Sequence, residues 1–127
     1  NALDLISDHK GKHLVTVTTD TPVSQVIILM NQYAISQVPV VEDGKFVGSL
    51  TDNQLFAKLL DNPELKQLPV KNIMENPFPM VDELTDIITV SKHFQRGAKA
   101  VIVSYDKDKH HIITQQDMIK AIDSCSK

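Results

Sequence analysis

Ile35-Ser36-Gln37-Val38-Pro39-Val40-Val41 runs into an acidic turn at Glu42-Asp43-Gly44. It returns through Phe46-Val47-Gly48-Ser49-Leu50 to Thr51-Asp52-Asn53-Gln54-Leu55. The same plan recurs later in the chain: Ala100-Val101-Ile102-Val103 passes through a second turn to His110-His111-Ile112-Ile113-Thr114-Gln115-Gln116-Asp117-Met118. Val38 recurs as Val101 and Thr51 as Thr114, each 63 residues on. Internal duplication at fixed spacing decides architecture before any single residue does. The copies are chemically unequal, because Gln54 stands in the first where Asp117 stands in the second.

Working outward, the first copy reads strand, helix, strand, strand, helix. Val15-Thr16-Val17-Thr18 alternates and is β-branched, as a short strand requires. Asp20-Thr21-Pro22 predicts a helix cap with Pro early in the helix, and Val23, Val26, Ile27 and Met30 follow on one helical face. Val38 to Val41 is a buried strand, Gly44 supplies positive φ in the turn, and Phe46 to Leu50 is the hairpin partner. Thr51 caps a second helix expected to bury Leu55, Leu59 and Leu60. The second copy repeats this order. Met80-Val81 is the first strand, and Ile87, Val90 and Phe94 form the helix face. Val101 to Val103 with Ile112-Ile113 form the hairpin, and Thr114 caps a helix expected to bury Met118, Ile119 and Ile122. Between the copies, Asp61-Asn62-Pro63 and Leu68-Pro69 stop helix propagation, Val70, Ile73 and Met74 fit a short helical turn, and Asn76-Pro77-Phe78-Pro79 is extended.

The fold class is therefore mixed α and β: two β-α-β-β-α repeats, residues 1–68 (with a leading linker) and 69–127, packed about a pseudo-twofold axis. A three-stranded sheet has a face it cannot bury unaided, so the copies are expected to share a core, with equivalent clefts at the mouths of strands and the starts of helices. At 127 residues with 42% hydrophobic content the chain suits one domain or two half-domains rather than a disordered segment. A net charge of −3 with scattered basic residues argues against a nucleic-acid partner. Apolar runs such as Val26 to Met30 are too short to cross a bilayer, no signal-peptide pattern opens the chain, and a lone Cys125 excludes an internal disulfide. These features predict a cytoplasmic protein without membrane contact. The opening Asn1-Ala2, lacking methionine, reads as the start of an excised fragment with a larger protein upstream.

The run from Ile35 to Val41, with Gly44, Val47-Gly48 and Thr51 at these intervals, resembles the cystathionine-β-synthase (CBS) domain. Two copies resemble the tandem pair known as a Bateman module, over about Leu3 to Ile122. The second copy departs from the pattern, with Ile102 in place of Pro39 and His111 in place of Gly48. Within the family the chain is most similar to the C-terminal regulatory region of cystathionine β-synthase, on the residues Ile35 to Val41 and the Gln54/Asp117 asymmetry. The resemblance implies a non-catalytic regulatory module that binds an adenosine-containing ligand, S-adenosylmethionine or AMP, ADP or ATP. It also implies an upstream pyridoxal-phosphate-dependent catalytic domain and a homodimer formed through the modules. The competing readings are a ligand-free dimerisation module, or attachment to another enzyme, a channel or a transporter.

By that resemblance, Asp117 of the Thr-x-x-Asp pattern accepts both ribose hydroxyls, for which an ionised carboxylate offers two acceptor oxygens. Thr114 faces the ribose or its 5′ substituent near free backbone N–H groups. The same acid could instead act only on the helix N-terminus. Leu14, Val15, Ile35, Gln37 and Val38 would wall the adenine, or, for Val15 and Val38, simply pack the core. A second, weaker cleft would comprise Thr51, Gln54, Val81, Ala98, Lys99 and Ala100, since neutral Gln54 offers a diol one acceptor oxygen. His9 and His13 are four apart but approach a strand, and His110 and His111 face opposite sides of one. No cysteine or carboxylate stands at metal-ligand spacing to them, so no metal and no intrinsic cofactor are expected. No phosphate loop, nucleophile elbow or paired-acid arrangement supports catalysis.

Overall fold

The computed structural model describes residues 1–2, 14–106 and 108–125, without the side chains of residues 122, 124 and 125. It forms two compact units: Val15–Pro77, and Asn1–Leu14 with Phe78–Lys127. The repeat boundary expected at residues 68/69 falls within the first unit, between two short 3-10 helices, Pro63–Gln67 and Val70–Asn72.

The first unit runs β1 (Val17–Thr18), α1 (Val23–Tyr33), β2 (Gln37–Glu42), β3 (Lys45–Thr51) and α2 (Asp52–Asp61). Its sheet order is β1-β2-β3, with β1 parallel and β3 antiparallel to the central β2. The parallel pair follows from the helical crossover, the antiparallel one from the tight turn. Asp43 and Gly44 both take positive φ, at 51° and 76°, which is the primed turn a two-residue hairpin favours. Beneath the sheet, Val23, Val26 and Met30 of α1 meet Val17, Val38, Val40, Leu50 and Leu55. Each fully buried aliphatic side chain there contributes roughly 1.5–3 kcal/mol.

The second unit repeats the order as β4 (Met80–Asp82), α3 (Ile87–Gln95), β5 (Val101–Tyr105), β6 (Lys109–Ile113) and α4 (Gln115–Cys125), in a sheet β4-β5-β6 of the same sense. Val90, Phe94, Val101, Val103, Tyr105, Ile113 and Met118 form its core. Both units therefore show the expected β-α-β-β-α order.

Four local expectations change. The opening strand is limited to Val17–Thr18, since only these residues pair with β2. The N-cap of α1 is Pro22, with no side-chain cap; Thr21 turns its hydroxyl back instead, accepting the Thr18 N–H at 3.1 Å. Leu60 and Ile119, expected in the core, are 69% and 59% exposed. Both lie next to the true inward positions (Leu59 and Met118), and one residue of rotation, about 100°, turns a side chain off the buried face. His9 and His13 lie outside the described residues.

The linker after α2 straps the first unit. Val70 N–H donates to Thr21 O at 2.8 Å and Lys71 N–H to Thr19 O at 3.1 Å. Ser49 and Glu75 exchange two backbone bonds at 3.0 Å, and Ser49 Oγ donates to Asn76 O at 2.6 Å. Gly48 makes this approach possible, because a Cβ there would stand 2.9 Å from Met74 Cγ and 3.2 Å from the Glu75 carbonyl oxygen. Lys58 fastens the strap from α2, donating to Ile73 O at 2.6 Å and pairing with Glu75 Oε1 at 2.9 Å.

Candidate functional site

In each unit the threonine and the residue three positions on, Thr51 with Gln54 and Thr114 with Asp117, stand where the last strand hands over to the last helix. In the first unit, Gln37 pairs with Thr51 at the end of the hairpin. The carbonyl of Ser36 accepts the Asp52 N–H at 3.0 Å, so the segment before Pro39 is tied to the first residue of α2. Buried Thr51 is the N-cap, its Oγ1 accepting the Gln54 N–H at 3.3 Å. Gln54 is half-buried. Its Oε1 is buried and has no hydrogen-bond partner among the described residues. Asp52 is exposed and turns its carboxylate to the Asn53 N–H at 2.7 Å, so it does not replace the acid missing at position 54.

In the second unit the same turn is wired in the opposite sense. Asp117 Oδ2 reaches back to the Thr114 N–H at 2.9 Å and to the Thr114 hydroxyl at 3.3 Å. Thr114 O in turn accepts the Asp117 N–H at 3.1 Å. This is the return half of a capping box, in which the acid in the first helical turn satisfies the N–H of the capping residue. The half-buried carboxylate is thereby held in one orientation at a helix N-terminus, where negative charge is favoured. These helix-start bonds take up two of the roughly four acceptor sites that a carboxylate offers.

The candidate residues divide between the units. Thr114 and Asp117 lie in one, with Leu14, Val81, Ala98, Lys99 and Ala100; Thr51 and Gln54 lie in the other, with Val15, Ile35, Gln37 and Val38. Val38 and Ala100 are fully buried, and Val38 is packed in its unit's core. Val15, Ile35, Gln37, Val81 and Ala98 are half-buried, and Lys99 is exposed. Among the described residues no group of three or more His, Cys, Asp or Glu side chains stands where it could hold a metal ion, and no helix is long and apolar enough to cross a membrane. The unpartnered Gln54 oxygen was not visible in the sequence, since burial of one atom depends on the neighbouring elements. The tie from Ser36 to Asp52 was not visible in the sequence either, since the register shift between Val40 and Val41 is what brings the two residues opposite each other.

The model of the CBS domain family matches residues 6–61 and 70–124, one match per repeat. The chain belongs to the CBS-domain family. Among relatives of this CBS pair, an uncharacterised protein of Methanocaldococcus jannaschii is 30% identical over 120 residues, covering 91% of the chain and 43% of that protein. Cystathionine β-synthase of Dictyostelium discoideum is 24% identical over 111 residues, covering 83% of the chain and 22% of the enzyme. The pair thus spans less than half the length of these curated relatives. Among solved structures, a CBS-domain protein of Agrobacterium tumefaciens superposes with a TM-score of 0.81 at 23% identity, covering 94% of this chain and 96% of that one. CBSX2, solved in complex with AMP, superposes at 0.70 with 19% identity, covering 90% of each chain.

Proposed function

We propose that this CBS pair is a regulatory module that takes up an adenosine-containing ligand, with Asp117 receiving the ribose hydroxyls. The observation that carries the reading is the fixed carboxylate of Asp117 at the start of α4, held through Oδ2 by the N–H and hydroxyl of Thr114. A carboxylate already held in place loses little side-chain entropy when a vicinal diol donates to it. Thr114 then lies on the 5′ side of the ribose. The family membership and the AMP bound to the structurally similar CBSX2 support this ligand class. S-adenosylmethionine, AMP, ADP and ATP share the adenosine that Asp117 would recognise. The absence of a basic residue in Ser36-Gln37 favours ligands of low phosphate charge. The helix start at Thr51 and Gln54 forms the weaker counterpart in this reading. The module itself carries out no catalysis.

The module would act by binding its ligand with different affinity in two arrangements and so biasing an attached partner. Attachment to a pyridoxal-phosphate-dependent cystathionine β-synthase draws support from the identity to the Dictyostelium enzyme. The higher identity to the archaeal protein weighs toward other partners. A second reading, a ligand-free dimerisation module, is favoured by apolar side chains left on the helices, notably Phe56 at 67% and Ile119 at 59% exposed.

Calorimetric titration with S-adenosylmethionine, AMP and ATP decides between them. The sensor reading expects saturable binding of at least one, reduced by Asp117→Ala; heat-silent titration with all three, alongside a dimer in sedimentation, favours the second reading.

A further inference from the structure

The strand-to-helix turn that follows the first strand of each repeat is built to one plan and carries one contact that the repeat pattern alone does not explain. In the first unit, Thr21 N–H donates to Thr18 O and Thr21 Oγ1 accepts the Thr18 N–H, both at 3.1 Å. In the second, Thr85 N–H donates to Asp82 O at 3.2 Å and Thr85 Oγ1 accepts the Asp82 N–H at 3.3 Å. Each turn presents the carbonyl of its threonine outward. Thr21 O receives the N–H of Val70 at 2.8 Å; Thr85 O receives the N–H of Ala2 at 2.7 Å. Val70 and Ala2 are both fully buried, each within the core of the unit it touches.

Val70 and Ala2 are therefore counterparts, although nothing in their side chains announces it. Val70 lies in the linker that leads into the second repeat and docks on the first. Ala2 lies ahead of the first repeat and docks on the second, among Val90, Phe94, Val101 and Val103. We propose that the Ala2 contact is a latch: seated on Thr85, it clamps the start of α3, and its release loosens the unit that carries Thr114 and Asp117. A displacement of Ala2 is then felt by the second repeat, although Ala2 precedes the first in sequence. The ligand reading is not needed for this inference, so the two fail separately.

The test is hydrogen–deuterium exchange on the intact 127-residue chain without ligand, comparing wild type with Ala2→Asp and Val70→Asp. Burying an unpaired carboxylate at either position opposes docking. Ala2→Asp is expected to speed exchange across Ile87–Gln95 by roughly tenfold or more while Val23–Tyr33 stays within about twofold, and Val70→Asp to do the reverse. Should Ala2→Asp prevent folding, Ala2→Pro removes the donated N–H and keeps the residue apolar, while adding ring carbons at a buried position; it is expected to produce the same pattern with roughly threefold faster exchange in α3. Equal acceleration of α1 and α3 in the Ala2 variant that folds, or unchanged exchange in α3, would overturn the latch.

Discussion

Thr51–Gln54 and Thr114–Asp117 occupy the same place in their repeats, yet they cap their helices from opposite ends. In the first repeat the threonine reaches forward to the Gln54 N–H; in the second the acid reaches back to the threonine. The difference traces to one side chain. Aspartate is short and charged, so its oxygen falls on the Thr114 N–H and makes a charge-assisted bond. Glutamine is one methylene longer and neutral, and its oxygen is carried past that partner into a buried position where nothing among the described residues meets it. A fold repeated in sequence thus yields one helix start with a fixed anion and another with an unpaired amide oxygen. The hairpins differ in the same spirit: Gly48 lets the Glu75 strap pair with β3, whereas its counterpart His111 is a buried imidazole.

The largest expected effect on folding stability breaks the hairpin difference. Gly48→Val drives side-chain carbons into Met74 and the Glu75 carbonyl, and the backbone side of that contact yields little. Overpacking of this kind costs about 1–3 kcal/mol. Denaturant titration should record that loss, with exchange accelerated at Ser49 and Glu75; an unchanged midpoint would mean that the strap adapts.

Asp117→Ala removes both the cap and the proposed ribose acceptor. Adenosyl affinity is expected to weaken by about 1.5–3 kcal/mol, the scale of hydrogen bonds to a charged group. Loss of the cap should lower folding stability by about 1 kcal/mol. Gln54→Ala, by contrast, should leave that affinity within error. Calorimetry on both variants inverts the assignment if Gln54→Ala is the more damaging. A smaller change probes the amide itself: Gln54→Leu retains the volume and removes the unpaired acceptor, so the denaturation midpoint should hold or rise, by up to about 1 kcal/mol. A clear fall would show that the oxygen has a partner in solution.

Much of this architecture was legible in the sequence, and the exceptions share a cause. The hairpins, the caps at Thr51 and Thr114 and the inward faces led by Val23, Val26, Val90 and Phe94 follow from period and turn chemistry, which are local. Leu60 and Ile119 failed because, in helices with several adjacent apolar residues, periodicity leaves the inward direction open by one position. The first strand shrank to Val17–Thr18 because pairing requires a partner strand at hydrogen-bonding distance, which local composition does not supply. At the candidate site, the register of Asp117 against Gln54 was readable, but the direction of each cap was not, since it turns on where an oxygen falls in three dimensions. The tie from Ala2 to Thr85 left no local signal at all, as it is made by a backbone N–H and a buried methyl.

The smallest expected effect concerns the other helix of each repeat, and there too the copies diverge. Helix α1 begins at Pro22 with no side-chain cap, whereas α3 begins at Asp86, whose Oδ1 accepts the Thr89 N–H at 2.7 Å. That bond to the backbone, aided by the Thr89 side chain, holds the Asp86 carboxyl below its ordinary range. The ionised form is therefore favoured in the folded chain over the unfolded one. Its contribution is present in full above the ordinary carboxylate pKa and is lost as the pH falls through the lowered value. Asp86→Ala should accordingly lower the thermal midpoint slightly at neutral pH and by less in acid, as the wild-type carboxyl becomes protonated. Pro22→Ala in α1 has no titrating cap to lose, so its effect should be the same at both pH values. Melting curves of the two variants at the two pH values check this, and a gap between wild type and Asp86→Ala that persists undiminished in acid would show that the aspartate stabilises α3 by something other than its charge.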